Sequence, residues 1–191
     1  MPLDDDYSRA LAESLAKSNL VPGSAAGLVP AGFKPTTKLA VSFGGAAKAV
    51  DLGNFFRAGE CKLPPSISFA AEAGADPSTS YLLLLTDPDA PTPDDPKFAF
   101  WRHWVVGGLK PASAAGENAV SAAPPALTEY LGPGPKDEEP AGLALSKEDV
   151  GGEEFVQRRS FKPAEFADKH GLTLVAINWM TCAGDGWTEG L

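Results

Sequence analysis

The sequence predicts one mainly-β domain rich in loops, with short helices at its periphery, and three observations lead there. At 191 residues with 43% hydrophobic content, the chain is long enough for one well-filled core and short for two. Its 18 prolines and 20 glycines make up about a fifth of all residues, which suits many short strands joined by turns better than long helices. Between these turn formers lie short apolar runs, several alternating with small polar residues at the period of a half-buried strand.

Taken in order, residues 4–18 place Tyr7, Leu11 and Leu15 at helical spacing behind Asp4, Asp5 and Asp6. Acidic side chains there suit the positive end of a helix dipole, so a short N-terminal helix is expected. Residues 1–20 are read as an N-terminal helical segment and 21–191 as a single domain. Val21 to Pro35 is broken by Pro22, Gly23, Pro30 and Gly32 and should cross the surface as a connector. Leu39, Val41 and Phe43 alternate with Ala40 and Ser42, a strand ending at the Gly44-Gly45 turn, and Ile67 and Phe69 repeat the alternation.

Tyr81 to Leu85 is a continuous apolar run, the pattern of a strand buried on both faces. Trp104, Val105 and Val106 form another, which Gly107-Gly108 should end. Pro163 opens a helix that carries Phe166 inward and stops at Gly171, the proline-first, glycine-last asymmetry of helices. Leu174 to Met180 reads as strand again, and the tail from Cys182 as irregular. The stretch from Tyr130 to Phe155 contains no convincing strand, and connections of that length are uncommon in compact domains.

The net charge of -9 and a pI near 4.7 argue against binding that relies on neutralising nucleic-acid phosphates or anionic membrane surfaces. A single small anion is still compatible, because amides and one imidazole can make a local positive spot inside an acidic shell. Cys61 and Cys182 are too few for a disulfide framework and too far apart for a zinc pair, so two reduced thiols are expected. The opening Met1-Pro2-Leu3 followed by three aspartates lacks the basic and apolar regions of a secretory signal, and no stretch approaches the ~18 apolar residues of a membrane span. A cytoplasmic protein without transmembrane insertion is expected.

The strongest motif is Thr86-Asp87-Pro88-Asp89-Ala90-Pro91, directly after an apolar run. Strand ends are where a rigid scaffold presents side chains. Prolines beside Asp87 and Asp89 let both carboxylates point into one space at little ordering cost; equally, the carboxylates can cap turn amides. An X-Pro bond in this motif, Asp87-Pro88 especially, is a candidate for the cis form. His103 lies near this motif in sequence and can exchange a proton with a bound anion, and a nearby carboxylate would raise its pKa. His170, at the end of the last helix, reads as a helix-end cation.

Asp87, Asp89 and His103 match no defined metal-coordination spacing, no sugar cleft is suggested around the carboxylates, and no Ser or Cys stands in a nucleophile elbow. The enzyme reading is accordingly weak, and no cofactor is expected. In Gly132-Pro133-Gly134-Pro135 the glycine amides can approach a small anion closely, although the same residues also make an ordinary tight turn.

In order and spacing, Asp87-Pro88-Asp89-Ala90-Pro91, Asp95-Pro96-Lys97, Trp101 to Val106 and Tyr130 to Pro135 resemble the phosphatidylethanolamine-binding protein family, over about Leu39 to Trp187. The N-terminal helix and opening strand look most like the fungal branch that includes carboxypeptidase Y inhibitors. The resemblance implies an antiparallel β-sandwich with peripheral helices and a small pocket for phosphate-bearing ligands or phospholipid head groups. By position, Asp87, Asp89 and His103 match pocket residues, Trp101 an aromatic wall, and Gly132, Pro133 and Gly134 the pocket loop. It also implies a non-enzymatic protein that inhibits a serine carboxypeptidase or another hydrolase, with residues 1–20 in the contact, or that modulates signalling. Those residues are expected to be removable without loss of the fold.

The family follows this loop with a His-Arg-Tyr block opening a buried strand, which adds a second histidine and a tyrosine to the pocket; here Lys136 leads through Asp137, Glu138 and Glu139 to Pro140 instead. A deletion of roughly a dozen residues is implied, and loss of an interior strand would leave its neighbours with unpaired backbone groups. The alternative reading is therefore a defective member without anion binding or independent activity.

Overall fold

The computed structural model describes residues 3, 5–44, 48–111, 126–134 and 150–188. Helix α1 spans Asp5–Lys17, with Asp5 and Asp6 in its first turn and Lys17 in its last, each matching the helix dipole. Leu11 and Leu15, one turn apart, are its buried residues. They pack with Leu20, Ala25 and Val29 and against Leu174, Ile177 and Trp179 from the far end of the chain. Trp179 Nε1 also donates to Ser14 Oγ at 3.0 Å. Each buried leucine contributes about 1.5–3 kcal/mol relative to exposure, so the expectation that residues 1–20 can be removed with the fold intact is corrected: α1 closes a core cluster.

Seven strands follow among the described residues. β1 (Leu39–Phe43) pairs antiparallel with β2 (Lys48–Ala49) on one side and β4 (Ser66–Phe69) on the other. β3 (Phe55–Arg57) and β7 (Thr181–Ala183) form a parallel pair, and β5 (Tyr81–Asp87) and β6 (Trp101–Leu109) a long antiparallel one. Helices α2 (Phe155–Arg158) and α3 (Pro163–Lys169) are short and lie between β6 and β7 in the chain. The fold is mainly β with short helices, as the sequence predicts. The β1 sheet meets the other two pairs through shared side-chain clusters: Phe43, Val50, Phe56 and Cys61 with Tyr130 and Cys182, and Phe69, Val106 and Leu109 with Tyr81 and Trp104.

Strand β5 is covered on both faces but sealed on neither. Leu82 and Leu84 pack toward Val105 and Phe166 on one side, and Tyr81 and Leu83 toward Phe69 and Val106 on the other. All seven of its residues nonetheless remain half-buried. Gly107-Gly108 does not end β6 as expected. The register passes from Tyr81↔Leu109 to Leu83↔Val106, so the glycines form a bulge inside the strand, with Gly108 at φ 70°.

Residues 174–180, expected as strand, join no ladder; regular pairing begins at Thr181. The carbonyl of Val175 accepts from Thr36 N–H at 2.8 Å and that of Trp179 from Gly53 N–H at 2.8 Å, while the Asn178 amide donates to Leu39 and Val50 carbonyls at 3.1 and 2.9 Å. Leu174, Ile177 and Trp179 of this segment pack, half-buried, against the α1 cluster, but the apolar pattern could not say whether a neighbouring strand supplies a ladder. The expected missing strand falls at residues 135–149, outside the described residues.

Candidate functional site

The site forms where β5 ends and β6 begins. Asp87 pairs with Trp101 in the last rung of the ladder, and Thr86 Oγ1 donates to the Trp101 carbonyl at 2.8 Å. One step further the register breaks: Leu85 opposes Trp104 and Thr86 opposes Arg102, which leaves His103 as the extra residue of a bulge. Bulges re-aim side chains. This one leaves the His103 and Trp101 rings 6.5 Å apart, edge to face, at the Asp87 end of the ladder.

Asp87 Oδ1 accepts the Asp89 N–H at 2.8 Å, an Asx turn that folds the Asp-Pro-Asp segment back on itself. The turn-capping role anticipated for the carboxylates is therefore real for Asp87. The cis bond lies at Ala90–Pro91 and not at Asp87–Pro88.

Across from the aspartates, residues 130–132 close the far edge of β6. Leu131 N–H donates to the His103 carbonyl at 3.0 Å, and the Leu131 carbonyl lies 2.6 Å from His103 Nδ1. A carbonyl can only accept, so Nδ1 carries the proton and Nε2 is the ring atom available to a ligand. Gly132 is required by close approach: a Cβ there would lie 2.5 Å from the Cys61 carbonyl oxygen. Tyr130 donates its hydroxyl to that same oxygen. Among the described residues, neither Gly132 nor Gly134 has an acceptor for its N–H, Pro133 beside them is half-buried, and Pro135 lies outside the described set.

Burial pushes the His103 imidazole below its ordinary 6.5, and Arg158 adds to this, against the upward pull of the Leu131 carbonyl and of Asp87. The carboxylate acts in the expected direction, but desolvation outweighs it, so the predicted net rise is corrected to a fall. Burial likewise pushes Asp87 above its ordinary 3.8, opposed by the Asp89 N–H and by His103 and reinforced by the Asp89 carboxylate. Both shifts favour neutral groups.

Sequence reasoning missed three parts of this site. Arg158, 6% exposed, donates from Nη1 to the carbonyls of Arg102, His103 and Glu129 at 3.3, 3.1 and 3.0 Å and so clamps the bulge from behind. Phe155 extends the aromatic wall, its ring 5.0 Å from Trp101 and 5.2 Å from Phe98. Cys61 supports the loop through its backbone. None carries a local signature, because each acts from more than forty residues away in sequence from what it supports, apart from Arg158 on Glu129. His170 sits at the end of α3 with its ring against Phe166. Among the described residues no group of three His, Cys, Asp or Glu could hold a metal ion, and no helix is long and apolar enough to cross a membrane.

A family model described as phosphatidylethanolamine-binding protein matches residues 32–142, more than half of the chain. Among solved structures, the chain is similar to a carboxypeptidase Y inhibitor crystallised with its cognate proteinase, at 20% identity and TM-score 0.70, covering 95% of this chain and 98% of that one. It is also similar to the phosphatidylethanolamine-binding proteins of Plasmodium vivax (22% identity, TM-score 0.63, 91% and 97% covered) and Plasmodium falciparum (23%, 0.60, 90% and 96%).

Proposed function

The chain belongs to the phosphatidylethanolamine-binding protein family, and on that premise we propose that it is a non-enzymatic binding protein with a small site for phosphate-bearing ligands, acting as an inhibitor of a serine carboxypeptidase. The observation that carries the ligand site is the bulge at His103. It sets the imidazole at the Asp87 end of the strand pair while the Leu131 carbonyl holds Nδ1, so Nε2 can protonate and donate to an anionic oxygen. The amides of Gly132 and Gly134 add neutral donors of the kind that anions use. Nothing in this arrangement activates a nucleophile, which supports binding over catalysis.

The inhibitory role is supported by the likeness to an inhibitor bound to its proteinase. Because Leu11 and Leu15 belong to the core, the contact is tested on the outer face of α1, where Arg9, Glu13 and Lys17 are exposed. Charge reversal of all three should weaken inhibition of a serine carboxypeptidase at unchanged thermal stability; inhibition equal to wild type would remove α1 from the contact. For the ligand site, phosphorylethanolamine titrated into the protein should move the His103 imidazole resonances saturably, and His103→Ala should abolish binding.

A second reading, a family member that no longer binds anions, is favoured by one observation. Residues 174–180 lie against the core without a ladder partner among the described residues. No His103 shift at millimolar phosphorylethanolamine would decide for that reading.

A further inference from the structure

The two cysteines, 121 positions apart in sequence, are neighbours in the fold, and both stand behind the ligand site. β7 places Cys182 beside Phe56 of β3, and the 3-10 turn Ala58–Cys61 that follows β3 folds Cys61 back into the same cluster. Cys61 is fully buried and Cys182 half-buried. The backbone of Cys61 is in turn the support of the ligand loop. Its carbonyl accepts the Tyr130 hydroxyl and abuts Gly132, and the intervening Leu131 holds both the backbone and the ring of His103.

We propose that Cys61 and Cys182 form a dithiol modification site that peroxide oxidises to an intramolecular disulfide, and that this bond loosens the Leu131–His103 clamp. The Cys182 thiolate attacks one peroxide oxygen, the O–O bond breaks, and the departing hydroxide leaves as water, giving a sulfenic acid at Cys182. The Cys61 sulfur then displaces hydroxide from that sulfenic sulfur and its thiol proton completes a second water. In sum two S–H bonds and one O–O bond are lost, one S–S and two O–H bonds are gained, the sulfurs are oxidised by two electrons and the peroxide is reduced by two.

An S–S bond of about 2.0 Å is far shorter than a van der Waals contact between thiols. Closing it draws the Cys61 backbone toward β7, and its carbonyl carries Tyr130 and Gly132 along. Burial pushes the Cys61 thiol up to about 12 and also raises that of Cys182, each thiol sensing the other. The pair therefore stays protonated and slow near neutral pH, and its oxidation accelerates as pH rises.

The coupling to phosphate rests on the ligand site proposed above, whereas bond formation and its effect on His103 do not. The test treats the folded full-length protein with hydrogen peroxide and digests it with trypsin without reductant. A cross-link between the peptides 58–62 and 170–191, absent in Cys182→Ser, is expected, with a shift of the His103 imidazole resonances in ligand-free protein that dithiothreitol reverses. Inorganic phosphate should then bind at least about fivefold more weakly to the oxidised form, the lower end of ordinary coupling between sites. Intermolecular dimers, overoxidation of Cys182 alone, or free thiols after exhaustive treatment would overturn the dithiol. A cross-link that leaves His103 unmoved would overturn the coupling. If neither form binds phosphate, the ligand site fails while the His103 shift still decides the clamp.

Discussion

Replacing Gly132 by alanine probes the point where the ligand loop rests on the core. The added Cβ would meet the Cys61 carbonyl oxygen at 2.5 Å and stand 3.4 Å from the Tyr130 hydroxyl. Because the closest atom belongs to backbone, the loop must retreat by at least about 0.5 Å, and overpacking of this kind costs about 1–3 kcal/mol. The smaller conformational freedom of alanine in the unfolded chain returns about 0.4–1 kcal/mol, so a net loss of about 1–2 kcal/mol is expected. The neighbouring residue carries the clamp: Leu131 bonds His103 at 3.0 Å through its N–H and meets Nδ1 at 2.6 Å through its carbonyl. A retreat of that size therefore misplaces the imidazole and should weaken phosphate binding by about tenfold, equivalent to 1.4 kcal/mol. Urea denaturation followed by tryptophan fluorescence reads the first effect and phosphate titration on His103 the second. Gly186→Ala, exposed and with open space around its Cβ, is the control and should stay within about 0.5 kcal/mol of wild type. A Gly132→Ala protein with an unchanged urea midpoint and unchanged His103 resonances would refute the loop's role as a support.

Two further outcomes follow from the same geometry. A bound anion favours charged His103 and neutral Asp87, so binding takes up protons. With His103 depressed and Asp87 raised in the free protein, affinity for phosphorylethanolamine should increase as pH falls below neutrality, by up to about tenfold per unit for one linked proton, and level off below the depressed His103 value; calorimetric titrations in buffers of different ionisation enthalpy check the uptake. Arg158→Met keeps the apolar stem but abandons the carbonyls of Glu153, Arg102, His103 and Glu129, so a loss of about 2–4 kcal/mol is expected in urea, together with a moved His103 resonance; a midpoint within experimental error of wild type would show that the clamp is dispensable.

Local order was legible wherever a residue's role depends on its neighbours in the chain. The spacing of Tyr7, Leu11 and Leu15 specifies α1, the alternation Leu39-Val41-Phe43 specifies β1, and Pro163 with Gly171 brackets α3. Burial frequency is carried by the side chains themselves, so periodicity reports it. The family resemblance likewise pointed to Asp87, Asp89, His103, Trp101 and the Gly132 loop, and the structure gathers Asp87, Trp101 and His103 at one end of the β5–β6 ladder with the loop at its edge.

What the sequence by itself determined is this set of elements and side chains. Only the tertiary structure decided the register that makes His103 a bulge, the partner that holds its Nδ1, the sign of its pKa shift and the meeting of Cys61 with Cys182. The reason is physical: hydrogen-bond register, desolvation and contact between distant residues depend on which surfaces come to face each other, and no local pattern encodes that. Most strands and helices were readable from short-range repetition, whereas the chemistry of the site arises from long-range neighbours.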